Sequence, residues 1–261
     1  MERNILLTIA YDGTEFCGWQ RQPNRPTIQG HLEQTMSALF DRKIALNGTS
    51  RTDAGVHALG QRASFVLDVN IPVDRIPPAV NNALAGREKR AVGISPVRIL
   101  AAEEKPPGFH ARFDARGKKY VYRIEGGGEI DLFQRNYLYH VERPLDGESM
   151  AAAGRLLMGT HDFKSFEASG GNPRENTIRT IFDLQVLCPN PQDAPRILEI
   201  HVTGDGFLYN MVRIITGTLV DIGLGKRRPD EITDILEAKN RGKAGHTAPP
   251  QGLYLAEIYY E

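Results

Sequence analysis

The sequence predicts an α/β chain of the mixed α+β kind, and three observations carry that expectation. Ala63, Phe65, Leu67 and Val69 alternate with Arg62, Ser64, Asp68 and Asn70, the period of a half-buried strand. Ile28, Leu32, Met36, Leu39 and Phe40 fall instead at helical spacing. Both patterns recur in a similar order in the two parts of the chain, at low sequence similarity and with no fixed-period repeat.

In chain order, Ile5–Ala10 is apolar and β-rich, and Tyr11-Asp12-Gly13 closes it as a turn. Gly18–Pro26 is a polar loop holding Trp19, the one tryptophan, which reads equally well as a core anchor. Thr27 is placed to cap a helix running to about residue 41. A polar loop and the alternating strand follow. A short helix is expected over Arg75–Leu84, with Pro77 and Pro78 pointing to a start later than residue 75. Ala91–Ala102 reads as a strand interrupted at Pro96, and Glu103–Pro107, charged and proline-rich, as the connection between parts. The expected domains are therefore 1–105, which carries the polar loop, and 106–261.

In the second part, Arg116–Glu125 alternates Tyr120, Tyr122 and Ile124 with Lys119, Val121 and Arg123 as a strand, and Gly126-Gly127-Gly128 ends it. Tyr137–Val141 is a short strand. Asp146 caps a helix to about Met158. Lys164–Asn176 is a long polar loop. Thr177–Leu187 and Arg196–Asp205 read as paired strands across a Pro- and Asn-rich connection. Tyr209–Leu224 is a helix with Met211, Val212, Ile215 and Leu219 as its apolar stripe, Pro229–Asn240 a second helix, and Leu253–Tyr260 a closing strand.

Bulk properties narrow the class. With 41% hydrophobic and 25% charged residues the chain is an ordinary globular one, and no apolar run approaches the ~20 residues of a membrane span. Met1-Glu2-Arg3-Asn4 has no charged-then-apolar leader pattern, so cytoplasmic residence is expected. Cys17 and Cys188 are too far apart for metal-ligand spacing and are expected as packed thiols. A net charge of zero excludes a protein that coats nucleic acid through bulk charge. It leaves room for local basic clusters, at Arg21 and Arg25, Arg112 to Lys119, and Lys226-Arg227-Arg228, which favour RNA.

The stretch Thr49–Gln61 concentrates chemistry: Arg51, Asp53 and His57 with two glycines, preceded by the turn-forming Asn47-Gly48-Thr49-Ser50 and followed by the strand. Asp53 is thus expected on a loop feeding a strand, where a rigid scaffold commonly presents catalytic groups. Arg51, at i−2 on extended chain, shares its direction. His57 reads as stabilising its own turn rather than as an acid or base, and His31 as structural or phosphate-facing.

Arg51-Thr52-Asp53-Ala54-Gly55-Val56-His57-Ala58 resembles the signature of the tRNA pseudouridine synthase A family. Five further stretches of that family follow the same order. They are Phe16–Gln22, Thr27–Glu33, Phe109–Phe113 with Lys119–Arg123, Gly159–Phe163 and Gly206–Arg213, so the resemblance covers nearly the whole chain. It departs at Ser50, where the family usually has glycine; if that position needs positive φ, a serine is strained there.

The resemblance implies two similar RRM-like domains with antiparallel-rich sheets joined, helices on one face and a cleft between them. It implies an isomerase that converts uridine to pseudouridine in the tRNA anticodon stem-loop, at about positions 38 to 40, and acts as a homodimer without cofactor or metal. Asp53 would be the catalytic carboxylate, and neither covalent attack nor proton removal is selected by the residues. Arg51 would reach the pocket or a phosphate, and Arg213 would keep the carboxylate ionised in a partly dry site. Tyr120 would stack on the flipped uracil, although Tyr122 at i+2 shares its face and the pattern does not separate them. Leu253 matches a pocket wall and equally a core residue. Arg21, Arg25 and Lys118 are candidate phosphate contacts.

Rival chemistries fit less well. A glycosidase needs two carboxylates about 5–9 Å apart, and Asp53 has no acidic partner in its loop. Asp53-Ala54-Gly55 occurs once, which does not suit an aspartic protease, and no Gly-x-Ser-x-Gly is present. The serious alternative is a non-enzymatic RNA-binding protein whose strand aromatics stack bases, with Asp53 merely structural.

Overall fold

The computed structural model describes residues 2–87, 94–170, 176–192 and 196–261. The chain is α+β, dominated by antiparallel strand pairing, and divides into two compact units. One comprises Met1–Arg116 with Leu255–Glu261, the other Gly117–Tyr254. The division falls after Arg116 rather than at 105/106, and the chain's last residues return to the first unit. No helix among the described residues is long and apolar enough to cross a membrane.

In the first unit, β1 (Arg3–Tyr11), β3 (His57–Leu67), β4 (Val97–Lys105) and the part of β10 (Leu253–Tyr259) from Leu255 on stand in the order β4-β1-β3-β10, with the two-residue β2 (Asn47–Gly48) on β3. β1 pairs antiparallel with both β3 and β4. The helices are α1 (Ile28–Phe40) and α2 (Ile76–Arg87). Ile5, Leu7 and Ile9 of β1, Phe65 of β3, and Ile28, Leu32 and Met36 of α1 are fully or almost fully buried. Thr27 caps α1 as expected, its Oγ1 accepting from Gly30 N at 3.3 Å.

Two sequence expectations change here, and the later start of the second helix holds. Glu103–Lys105 is strand, in register with Asn4–Leu6, and not a connector. Its charges suit an edge strand: Arg62 reaches Glu103 at 2.5 Å and Arg3 reaches Glu104 at 3.6 Å. α2 starts at Ile76 after a 3₁₀ turn, so Pro77 and Pro78 lie in its first turn, where missing amides cost no intrahelical bond. β4 begins only at Val97, after Pro96, and residues 91–93 of the expected strand lie outside the described residues.

The second unit orders β5 (Gly117–Gly126), β9 (Ile197–Gly204), β8 (Ile178–Leu187) and β7 (Gly159–Asp162) as β5-β9-β8-β7, all antiparallel, with β6 (Tyr139–Val141) parallel to β5. β2 and β7 are too short to leave a pattern in sequence. The loop before β8 and the connection before β9 both include residues outside the described ones, 171–175 and 193–195. Helices α3 (Gly147–Arg155), α4 (Met211–Gly223) and α5 (Glu231–Ala238) complete the unit. α4 is buried all round rather than along a stripe; its only residues short of full burial are its two charged ones, Arg213 and Asp221.

Candidate active site

In the first unit, two loops are bonded to each other backbone to backbone. One leaves β1 at Asp12 and ends at the cap of α1; the other joins β2 to β3 and carries Asp53. Trp19 N donates to Thr52 O at 3.0 Å, and Gly55 N to Phe16 O at 3.3 Å. The Tyr11 hydroxyl and Thr52 Oγ1 share a buried hydrogen bond of 2.7 Å. Gly18 sits at φ +87°, and a Cβ there would lie 2.5 Å from Thr52 O. Only glycine permits that approach. Trp19 is core, and the carbonyls of Gly18 and Trp19 accept the amides of Ile28 and Gln29, two of the donors a helix N-terminus leaves open.

The far side of the loop is held from β3. Gln61, completely buried, accepts Ser50 N at 3.2 Å and donates to Ser50 O at 2.7 Å. Ser50 is absent from the residues with positive φ, so the strain anticipated there does not arise. Val56 N closes a turn onto Asp53 O at 3.2 Å, and Gly55 takes φ +77°. His57 is buried, and its Nδ1 accepts from Gly13 N at 3.1 Å. It therefore ties the neighbouring loop. With Thr52 buried inward, Asp53 is half-buried and Arg51 exposed.

Arg21 and Arg25 lie on the first of these loops, both exposed. The Arg21 guanidinium stands 3.3 Å from the buried Glu33 carboxylate, and Arg21 N donates to Gln29 Oε1 at 3.0 Å. Glu33 also accepts from Gln29 Nε2 and from Leu46 N. Tyr11 and Gln61 thus hold the Asp53 loop, while Gln29 and Glu33 tie the first loop at Arg21 to Leu46, just before β2. Gln29, Glu33 and Gln61 stood in the quoted motifs, where a polar residue at an apolar-periodic position was the available signal; Tyr11 left none.

In the second unit, Tyr120 and Tyr122 separate clearly. Tyr122 has no exposure, and its hydroxyl donates to Pro249 O at 2.5 Å. Burial pushes its phenol well above the ordinary value, against the opposing field of Arg213. Tyr120, opposite Val202, is 7% exposed and meets Phe207 edge-on at 5.3 Å. Lys118, opposite Gly204, is half-buried. Arg213 Nε donates to Ala248 O at 2.7 Å and Nη1 to Asn210 Oδ1 at 2.9 Å. Tyr122 and Arg213 together pin residues 248 and 249, a few positions before Leu253, which is buried at the start of β10. Among the described residues no group of three or more His, Cys, Asp or Glu side chains is placed to hold a metal.

A family model described as tRNA pseudouridine synthase matches residues 7–114 and 153–261. A tRNA pseudouridine synthase A 2 of Clostridium tetani is 46% identical over 262 residues, covering all of both chains. A tRNA pseudouridine synthase A of Acetivibrio thermocellus is 43% identical over 258 residues, covering 99% of this chain and all of its own. A tRNA pseudouridine synthase A of a Geobacillus species is 42% identical over 262 residues, again covering both chains fully.

Proposed function

Since the chain belongs to the tRNA pseudouridine synthase family, and so is an isomerase acting on tRNA, we propose that it converts uridine to pseudouridine in the anticodon stem-loop, at about positions 38 to 40, on a flipped-out base. Asp53 is the catalytic carboxylate in this reading. The observation that supports it best is the loop itself: a half-buried carboxylate on a turn clamped from both sides by buried hydrogen bonds. A merely structural Asx turn has no need of such a mount, whereas a reacting group must be held within a fraction of an ångström.

The chemistry asks little else of the protein. The N1–C1′ bond breaks, the base turns, C5 bonds to C1′, and the C5 proton leaves while N1 gains one. Redox state and composition are unchanged, so no cofactor enters. Asp53 acts at the sugar or at the base ring, by covalent attack or by removing a proton. Arg51, exposed beside it, serves a phosphate or the pocket, and Arg213 provides the compensating positive charge. Tyr120 stacks on the uracil, as the family resemblance implies, and the full burial of the Tyr122 ring is in keeping with that choice. Leu253 forms a pocket wall, and Arg21, Arg25 and Lys118 meet phosphates. We further propose a homodimer, as the family resemblance implies, and, on the sequence expectation from Met1-Glu2-Arg3-Asn4, cytoplasmic residence.

The test is Asp53→Asn, nearly isosteric and able to keep most turn hydrogen bonds. The expected protein folds and binds tRNA, yet releases no tritium above background from tRNA carrying uridine tritiated at C5. The assignment is falsified if the folded, RNA-binding variant releases tritium at the wild-type rate.

A further inference from the structure

One sequence motif is left unused by this mechanism. Phe109-His110-Ala111-Arg112-Phe113 forms a tight turn in the first unit, with Phe113 N and Asp114 N both donating to His110 O at 3.1 Å. Its centre is fixed. Ala111 is fully buried; its carbonyl accepts from Thr49 Oγ1 at 3.0 Å and from the Tyr260 hydroxyl at 2.9 Å, and its amide donates to Ser64 Oγ at 3.1 Å. Thr49 directly precedes Ser50 and the Asp53 loop, so turn and loop share one mount.

The turn holds an aromatic ring out in solvent. Phe113 is 75% exposed, with one side of its ring against the His110 imidazole at 4.2 Å and 32°. The Arg112 guanidinium lies 5.8 Å from the ring centroid, itself exposed. Singly exposed apolar residues are ordinary. Phe133 is more exposed still, but among the described residues no ring or guanidinium lies against it. At Phe113 the ring is backed by an imidazole and flanked by a cation. Asp114, the nearby anion, is tied to the His110 amide at 2.7 Å. A rigid aromatic face beside a guanidinium is the arrangement by which proteins hold single-stranded nucleotides, the ring taking the base and the cation a phosphate.

We propose that Phe113, backed by His110 and flanked by Arg112, is a stacking platform for one unpaired nucleobase of the RNA substrate, separate from the position of the reacting uridine. This rests on the tRNA reading above. Its effect is on affinity and not on the chemical step.

The experiment measures tRNA affinity against salt for wild type, Phe113→Ala, Phe113→Trp and Arg112→Ala, with product formation at saturating tRNA alongside. Phe113→Ala is expected to weaken binding roughly 5- to 100-fold with the salt slope and the saturated rate unchanged. Arg112→Ala should lower the slope by roughly one phosphate contact. Phe113→Trp should bind as wild type, and its added emission should be quenched by tRNA beyond any change in Trp19. The platform is overturned if Phe113→Ala binds within twofold of wild type. It is equally overturned if that variant changes the oligomeric state without RNA, which would make the ring an interface between copies. A wild-type protein that binds tRNA and makes no pseudouridine defeats the functional reading alone, because the platform is scored on binding.

Discussion

Gly18→Ala tests the clamp around Asp53 most directly. Two costs arise at once. The backbone at φ +87° is a region where an L side chain costs about 1–2 kcal/mol. The new Cβ also falls 2.5 Å from Thr52 O, 3.1 Å from Asp53 C and 3.2 Å from Ala54 N, all backbone atoms. For ordinary contact, beyond about 3.4 Å, the Asp53 loop must retreat by roughly 1 Å. It cannot swing freely, because Gln61 holds Ser50 and Trp19 N holds Thr52 O. Overpacking of this kind costs about 1–3 kcal/mol, so the expected loss of stability is roughly 2–5 kcal/mol. A displacement near 1 Å at a reacting group reduces rate by roughly a hundredfold. Denaturant unfolding and tritium release at saturating tRNA measure the two effects. Gly86→Ala is the control: it lies in α2 with nothing within 4 Å of the added Cβ, and should be neutral or stabilising by up to about 1 kcal/mol. Gly18→Ala protein with wild-type stability and rate would refute the clamp.

Two further outcomes follow from the second unit. Tyr120→Phe keeps the ring and its edge contact with Phe207 while losing the hydroxyl, so tRNA affinity should stay within about twofold and product formation should slow; a normal rate would leave stacking as the whole contribution. Asp146 caps α3, accepting Glu148 N and Ser149 N at 3.0 Å each, and the Ser149 hydroxyl and these amides hold its carboxyl below its ordinary 3.8. Asp146→Ala should cost about 1 kcal/mol. Because the folded value is the depressed one, that difference is fully present above about pH 4 and fades as pH falls through the folded value; denaturation midpoints of the two proteins that stayed equally far apart at pH 2 would contradict the cap.

The sequence by itself determined the α+β class, most strands and helices, the cap at Thr27 and the position of Asp53 on a loop before a strand. These are local properties: side-chain period, cap chemistry and turn residues act within a few positions of themselves. It misread what depends on a partner distant in sequence. Glu103–Lys105 looked like a connector because an edge strand carries charge on its solvated face, and only pairing with Asn4–Leu6 makes it strand. α4 looked amphipathic because its threonines and glycines read as polar, and only packing buries them.

Tyr120 and Tyr122 were indistinguishable by alternation, and what separated them was a carbonyl at residue 249 that no local pattern contains. Ser50 looked like a strained replacement for glycine, yet its conformation is set by Gln61, eleven positions on. Tyr11 was invisible as a support of the Asp53 loop because its partner Thr52 lies 41 residues away. The tertiary structure therefore decided how Asp53 is held. Hydrogen bonds between segments far apart in sequence fix that geometry, and a chain read residue by residue encodes their donors and acceptors but not their distances.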